Sequence, residues 1–130
     1  MKAKWLNRNI ITANIYYTLS TSEKITDFEL KRLKVTTKFN HIPEGAGATT
    51  QSFTSPLDKK EICIVCLYDY KTYHKYQVYS LLVHEAVHVW QNIKRLMRED
   101  NPSSEFEAYS IQRICQELFY EFGRQTKKRK

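Results

Sequence analysis

Residues 84–88 read His84-Glu85-Ala86-Val87-His88, an HExxH pattern. On a helix, positions i and i+4 share one face a turn apart. Two imidazoles placed that way can both reach one Zn2+ ion at about 2.0–2.1 Å. Glu85 lies about 100° further round the helix than His84. It is therefore beside the metal rather than on it, where it can take a proton from a water that the metal activates. The chemistry expected of the trio is metal-assisted hydrolysis, with His84 and His88 as ligands and Glu85 as general base.

The elements that must position this trio can be read around it. Residues 78–90 are apolar almost all the way round a helix, which predicts a central, buried helix over 76–97. One stripe of that helix is polar: Gln77, Leu81, His84, His88, Gln91 and Arg95, with Glu85 bordering it. Buried polar groups need partners, and a metal would supply one.

Catalytic zinc usually takes three protein ligands and a water, so a third ligand must come from elsewhere. Downstream, Ser104-Glu105-Phe106-Glu107 fits a capping box, with Ser104 as N-cap and Glu107 reaching back. That occupies Glu107 and leaves Glu105 as the candidate third ligand; Glu107, Asp100, His74 and His41 are the other candidates. A purely structural use of Glu105 is to complement the helix dipole.

HExxH followed by Glu105-Phe106-Glu107-Ala108 resembles the minimal gluzincin-type zinc metallopeptidases, the ImmA/IrrE-like and M48-like groups. In those groups the Glu three residues before the Ala is the third zinc ligand, which corresponds to Glu105. They commonly carry Asp or Asn after the Ala. Tyr109 stands there instead, so the carboxylate that would orient a ligating His is replaced, and Tyr109 becomes a candidate hydrogen-bond donor to a substrate oxyanion. The metzincin pattern does not fit, because Gln91 and Lys94 occupy the positions of its Gly and His. Residues 62–67, 77–91 and 101–112 also resemble small tailed-bacteriophage proteins that have no established substrate. The resemblance implies a zincin-like fold, in which a sheet precedes the HExxH helix and its edge strand pairs with an extended peptide. It implies Zn2+ as cofactor and a protein or peptide as substrate.

The chain of 130 residues, 42% hydrophobic, can form one domain with a real core. No signal peptide and no membrane-spanning run is evident, so a cytoplasmic location is expected, the host cytoplasm if the protein is phage-encoded. The three cysteines are an odd number and argue against a disulfide framework. Cys63 and Cys66 fall in a strand at i and i+3, on opposite faces, and read as structural. Cys115 reads as helix core among Ile111, Ile114 and Leu118. Of the net charge of +7, Arg124, Lys127, Lys128, Arg129 and Lys130 supply five, leaving +2 before Gly123. The expected organisation is a domain over 1–123 and a basic tail over 124–130.

A pass along the chain predicts an α+β single domain: a strand over 14–19, a helix ending near residue 33 and a loop over 39–49. Strands over 49–54 and 61–68 follow as a hairpin, then the helix over 76–97 and a last helix over 105–122. In the first helix Ile25, Phe28 and Leu33 fall on one side. The expected architecture is a short antiparallel sheet packed on a central HExxH helix, followed by a C-terminal helix. Tyr68, Tyr70, Tyr73, Tyr76 and Tyr79 crowd the approach to the metal helix and suit a cleft rim or ordinary packing; Tyr73 and His74 are further oxyanion-donor candidates. Two other functions compete with a metallopeptidase. One is a non-catalytic, zinc-stabilised phage assembly or host-interaction module. The other is a nucleic-acid-binding protein acting through its basic tail, without membrane contact or a recognised nucleic-acid motif.

Overall fold

The run Ile62-Cys63-Ile64-Val65-Cys66-Leu67 is apolar on both of its alternating faces, and such a strand needs cover on both sides. It is the middle strand of the sheet in the computed structural model, which describes residues 2–6, 15–36, 47–56 and 59–127. The elements in chain order are β1 (Ile15–Ser20), α1 (Glu23–Arg32), β2 (Ala48–Thr54), β3 (Glu61–Leu67), a 3-10 turn (Tyr70–Thr72), α2 (Lys75–Met97) and α3 (Ser104–Thr126). The strand order is β1-β3-β2.

The class is α+β, as the pattern of segments predicts, but the sheet is mixed rather than antiparallel. β2 and β3 form the expected antiparallel pair, with Gln51 opposite Ile64. β1 runs parallel to β3, with Ile15 opposite Glu61 and Ser20 opposite Cys66. Parallel pairing needs a crossover, and α1 lies within the segment that makes it. Nothing in the alternation of residues 15–20 distinguishes a parallel neighbour from an antiparallel one.

Helices cover both faces of the sheet. On one face Tyr17, Leu19, Cys63, Val65 and Leu67 meet Val78, Leu82, Val89 and Trp90 of α2 and Ile114 and Leu118 of α3. On the other, Ile64 and Cys66 meet Leu30 of α1, with Trp5, Val35 and Phe53 at the margin. Cys63 and Cys66 thus stand on opposite faces, as free thiols. Burial pushes both thiols up to about 11, so neither is a ready nucleophile at neutral pH.

α1 differs from its predicted face. Ile25, Thr26, Glu29 and Leu30 are buried, whereas Phe28 is 43% exposed. The reason is Glu29: its carboxylate accepts from the Trp5 indole at 3.1 Å and pairs with Arg32 at 2.8 Å, so a charged residue sits on the inner face with its partners supplied.

α2 is also less enclosed than its composition predicts. Val78, Leu82, Ala86, Val89 and Ile93 are buried, but Val83 is exposed and the His84–His88 stripe faces solvent. The helix has one inner face, set against β2 and α3. Its N-cap is His74, whose Nδ1 accepts from the Tyr76 amide at 3.3 Å while Gln77 Oε1 accepts from the His74 amide at 2.9 Å. His74 therefore has a capping task.

α3 begins one residue from the predicted register. Ser103, not Ser104, is the N-cap, accepting from the Phe106 amide at 3.2 Å. Phe106 then occupies the position of the reciprocal Glu, and no capping box forms. Glu107 instead accepts from the buried Trp90 indole at 2.8 Å, with Phe106 edge-on to the same ring at 5.7 Å. A buried indole N–H needs an acceptor, and this register provides one. Ser103→Ala is expected to lower stability by about 1 kcal/mol, and Ser104→Ala to change it by less than about 0.5 kcal/mol, in urea denaturation. The reverse ranking would return the cap to Ser104.

The far end of α3 continues through Gly123 to Thr126, past the predicted start of a tail. Buried Glu121 accepts from Arg124 Nε at 3.0 Å, Gln125 Nε2 at 2.9 Å and the Lys4 amide at 3.1 Å. Arg124 is therefore committed to an ion pair, and Gln125 also donates to the Leu19 carbonyl at 2.7 Å. Residues 128–130 of the basic tail lie outside the described residues, as do His41, the rest of the 39–46 loop, and Leu57 and Asp58 of the hairpin turn. Among the described residues, no helix is long and apolar enough to cross a membrane.

Candidate metal centre and its cleft

β2 is an edge strand, and its Ala48, Thr50 and Ser52 share one face of the pleat. That face meets α2. Together they border a cleft of about 720 Å³ lined by Thr50 and Ser52 on one side and by His84, Glu85, His88, Gln91, Asn92 and Arg95 on the other. A second lobe continues past His84 to Gly47, Tyr73, Gln77 and Leu81. The polar stripe of the sequence, from Gln77 to Arg95, thus lines two adjoining lobes that share Ala48, His84 and Glu85. Gly47 permits the close approach in the second of them, since a Cβ there would stand 2.8 Å from Leu81 Cδ1.

Within the cleft, His84 Nε2 and His88 Nε2 are 3.3 Å apart. Two nitrogens each about 2.0–2.1 Å from a tetrahedral zinc stand about 3.4 Å apart, so the pair fits two corners of such an ion. Gln91 Oε1 lies 3.0 Å from His88 Nδ1. That contact lets Gln91 orient the His88 ring from the side opposite Nε2, as an outer partner does for a ligating His.

Glu85, next to the pair, is buried at 5% exposure. Thr50 Oγ1 donates to its Oε2 at 2.6 Å, reaching from β2 across to α2. That bond fixes one carboxylate oxygen of a residue that lines the cleft. Nothing in the residues around Thr50 signals this pairing; it arises because the edge strand lies over the turn that holds Glu85.

Glu105 is not brought to the histidines. It sits exposed in the first turn of α3, and that helix packs on the Trp90–Ile93 side of α2. Among the described residues no group of three His, Cys, Asp or Glu side chains could hold a metal ion. The alternatives are placed as follows. Glu107 serves the Trp90 indole, His74 caps α2, Asp100 is exposed beyond the end of α2, and His41 lies outside the described residues.

Tyr109 is likewise away from the cleft. It is 65% exposed and borders an apolar groove with Trp90, Met97 and Phe106. Tyr73 is the tyrosine that shares the cleft with His84 and Glu85. The other crowded tyrosines mostly serve packing: Tyr70 stands edge-on to Phe122 at 5.6 Å and Tyr79 leans on Phe119 at 4.9 Å.

Comparisons of the chain with models of known families, with curated proteins and with solved structures gave no match, so the centre is read from its own geometry.

Proposed function

We propose that the protein is a zinc-dependent hydrolase of metallopeptidase type, with His84 and His88 holding the metal and Glu85 as general base. The observation that supports this most is the 3.3 Å separation of the two Nε2 atoms, with Gln91 3.0 Å from His88 Nδ1, beside a buried carboxylate in the same cleft. Zinc bound there would acidify a water and polarise the carbonyl of a peptide bond.

The chain's own groups supply the remaining steps. Glu85, steadied by Thr50, accepts a proton from the attacking water as the new C–O bond forms. It returns that proton to the amide nitrogen as the C–N bond breaks, so the products are a carboxylic acid and an amine. The Tyr73 hydroxyl, in the lobe that Tyr73 shares with His84 and Glu85, is the donor offered to the developing oxyanion. β2, the edge strand of the described sheet, lies along the cleft, where an extended peptide would run beside it. The third protein ligand is not assigned to Glu105 in this arrangement, and the gluzincin-type relationship rests on the sequence motif.

A second reading, a zinc-stabilised interaction module without turnover, is favoured by the lack of a third ligand among the described residues. Elemental analysis of purified wild type beside His84→Ala, His88→Ala and Glu105→Ala separates the possibilities. The expected result is near-stoichiometric zinc in wild type, lost in both His variants and retained in Glu105→Ala. Metal-free wild type after zinc loading would remove the proposal. Loss of zinc in Glu105→Ala would mean that α3 moves to complete the site.

A further inference from the structure

The two lobes of the cleft differ in chemistry. One ends at Leu81 and Tyr73, with Gly47 allowing close contact. The other ends at Arg95, beyond Gln91 and Asn92. Among the described residues Arg32, Arg113 and Arg124 each have a carboxylate partner. Arg95 has none. Its Nη2 donates to Asn92 Oδ1 at 2.9 Å, and Asn92 is itself fixed through Nδ2 to the His88 carbonyl at 3.1 Å. The guanidinium is therefore oriented by a neutral side chain, and among the described residues most of its five donors are uncommitted.

We propose that Arg95, positioned by Asn92, anchors a carboxylate of an acidic peptide lying in the cleft, while the Leu81–Tyr73 lobe takes an apolar side chain of the same peptide. The proposal rests on the reading of the cleft as a peptide site and names the substrate class. An arginine fork pairs with a carboxylate through two parallel hydrogen bonds, which fixes direction as well as adding affinity. Arg95 lies seven residues beyond His88 on the same stripe, about 10.5 Å along the helix axis. An extended peptide covers that distance in about three residues, at about 3.3–3.6 Å each. The carboxylate would thus belong to a residue two or three places from the one at the histidines. It can come from an Asp or Glu side chain or from the chain terminus.

The test is fluorescence anisotropy on the full chain, zinc added, with labelled Ala/Leu hexapeptides in which Asp is moved through each position. Each is made with a free-acid and an amidated end, beside its Asn counterpart. The expected result is one position at which a carboxylate tightens binding about tenfold or more. Arg95→Glu is expected to abolish that gain and to prefer Lys at the same position; Arg95→Gln is expected to abolish it without reversal. A gain that follows Asp in amidated peptides marks a side-chain anchor, and a gain seen only with free acids marks a terminus. Equal binding of Asp and Asn and of acid and amide peptides would overturn the proposal. So would no binding by wild type, or a gain that survives in Arg95→Glu. Zinc content and peptide cleavage measured on the same samples keep the two readings apart. A charge-dependent anchor without zinc or cleavage would remove the hydrolase and keep the anchor. Cleavage without charge preference would do the opposite.

Discussion

Glu85→Gln is expected to keep the fold and the zinc content and to lower peptide hydrolysis by about 10²–10⁴-fold, the usual contribution of a positioned general base. The neutral amide is close to isosteric, and its oxygen can still accept from Thr50 Oγ1, now 2.6 Å from the carboxylate. The inner packing of α2 on the sheet is therefore undisturbed. What the substitution removes is a base that can take the water proton. Because Glu85 is not a ligand in this geometry, metal content separates its role from that of His84 and His88. A Gln variant with full turnover would exclude Glu85 as the base. A variant without turnover and without metal would mean that Glu85 helps to hold the ion. If neither wild type nor variant hydrolyses any peptide while both hold zinc, the interaction-module reading stands instead.

The second large effect concerns the buried acid of α3. Glu121 is 1% exposed and ties together Arg124, Gln125 and the Lys4 amide, so it fastens the N-terminal segment to the end of the last helix. Removing one partner of a buried pair costs about 3–5 kcal/mol. Arg124 is partly exposed and can turn to water, so Glu121→Ala is expected near the lower end, about 3 kcal/mol, by urea denaturation. That is a large share of a typical domain stability of about 5–15 kcal/mol. A loss below about 1 kcal/mol would show the cluster to be a surface ion pair of ordinary worth.

The same group sets an acid limit. Burial alone would raise the Glu121 carboxyl, but the bonds from Arg124, Gln125 and the Lys4 amide outweigh it and hold the group below the ordinary carboxylate range. A folded-state value below the unfolded one means stability that is present above the unfolded value of about 4.3 and lost as pH falls through the folded one. Glu121→Gln is expected to lack that part of the acid-side slope, while differing least from wild type at the lowest pH.

Much of the local structure was legible because it depends on short-range pattern. The α2 and β3 segments, the β2–β3 hairpin and the opposite faces of Cys63 and Cys66 follow from periodicities of 3.6 and 2. The stripe from Gln77 to Arg95 follows from the same arithmetic, and all six of its residues line the cleft. The failures have specific causes. The cap of α3 moved because two adjacent serines can each cap, and the need of the Trp90 indole selected between them. The inner face of α1 includes Glu29 because Trp5, far off in sequence, supplies a partner. Arg124 left the tail for the same kind of reason.

The chemistry that α2 can present was already written in its residues. Helical spacing puts His84 and His88 one turn apart with Glu85 beside them, and that needs no knowledge of the rest of the chain. What surrounds the trio depends on how the elements pack. Packing placed β2 at the sheet edge over Glu85, so that Thr50 rather than a local residue holds the carboxylate. It set Tyr109 on the Trp90 side and left Glu105 exposed in the first turn of α3, because α3 buries its apolar stripe against the inner face of α2 while the histidine stripe faces outward. Ligand sets are assembled across elements, and the rotation of one helix about another is fixed by packing, which a motif in either helix alone does not encode.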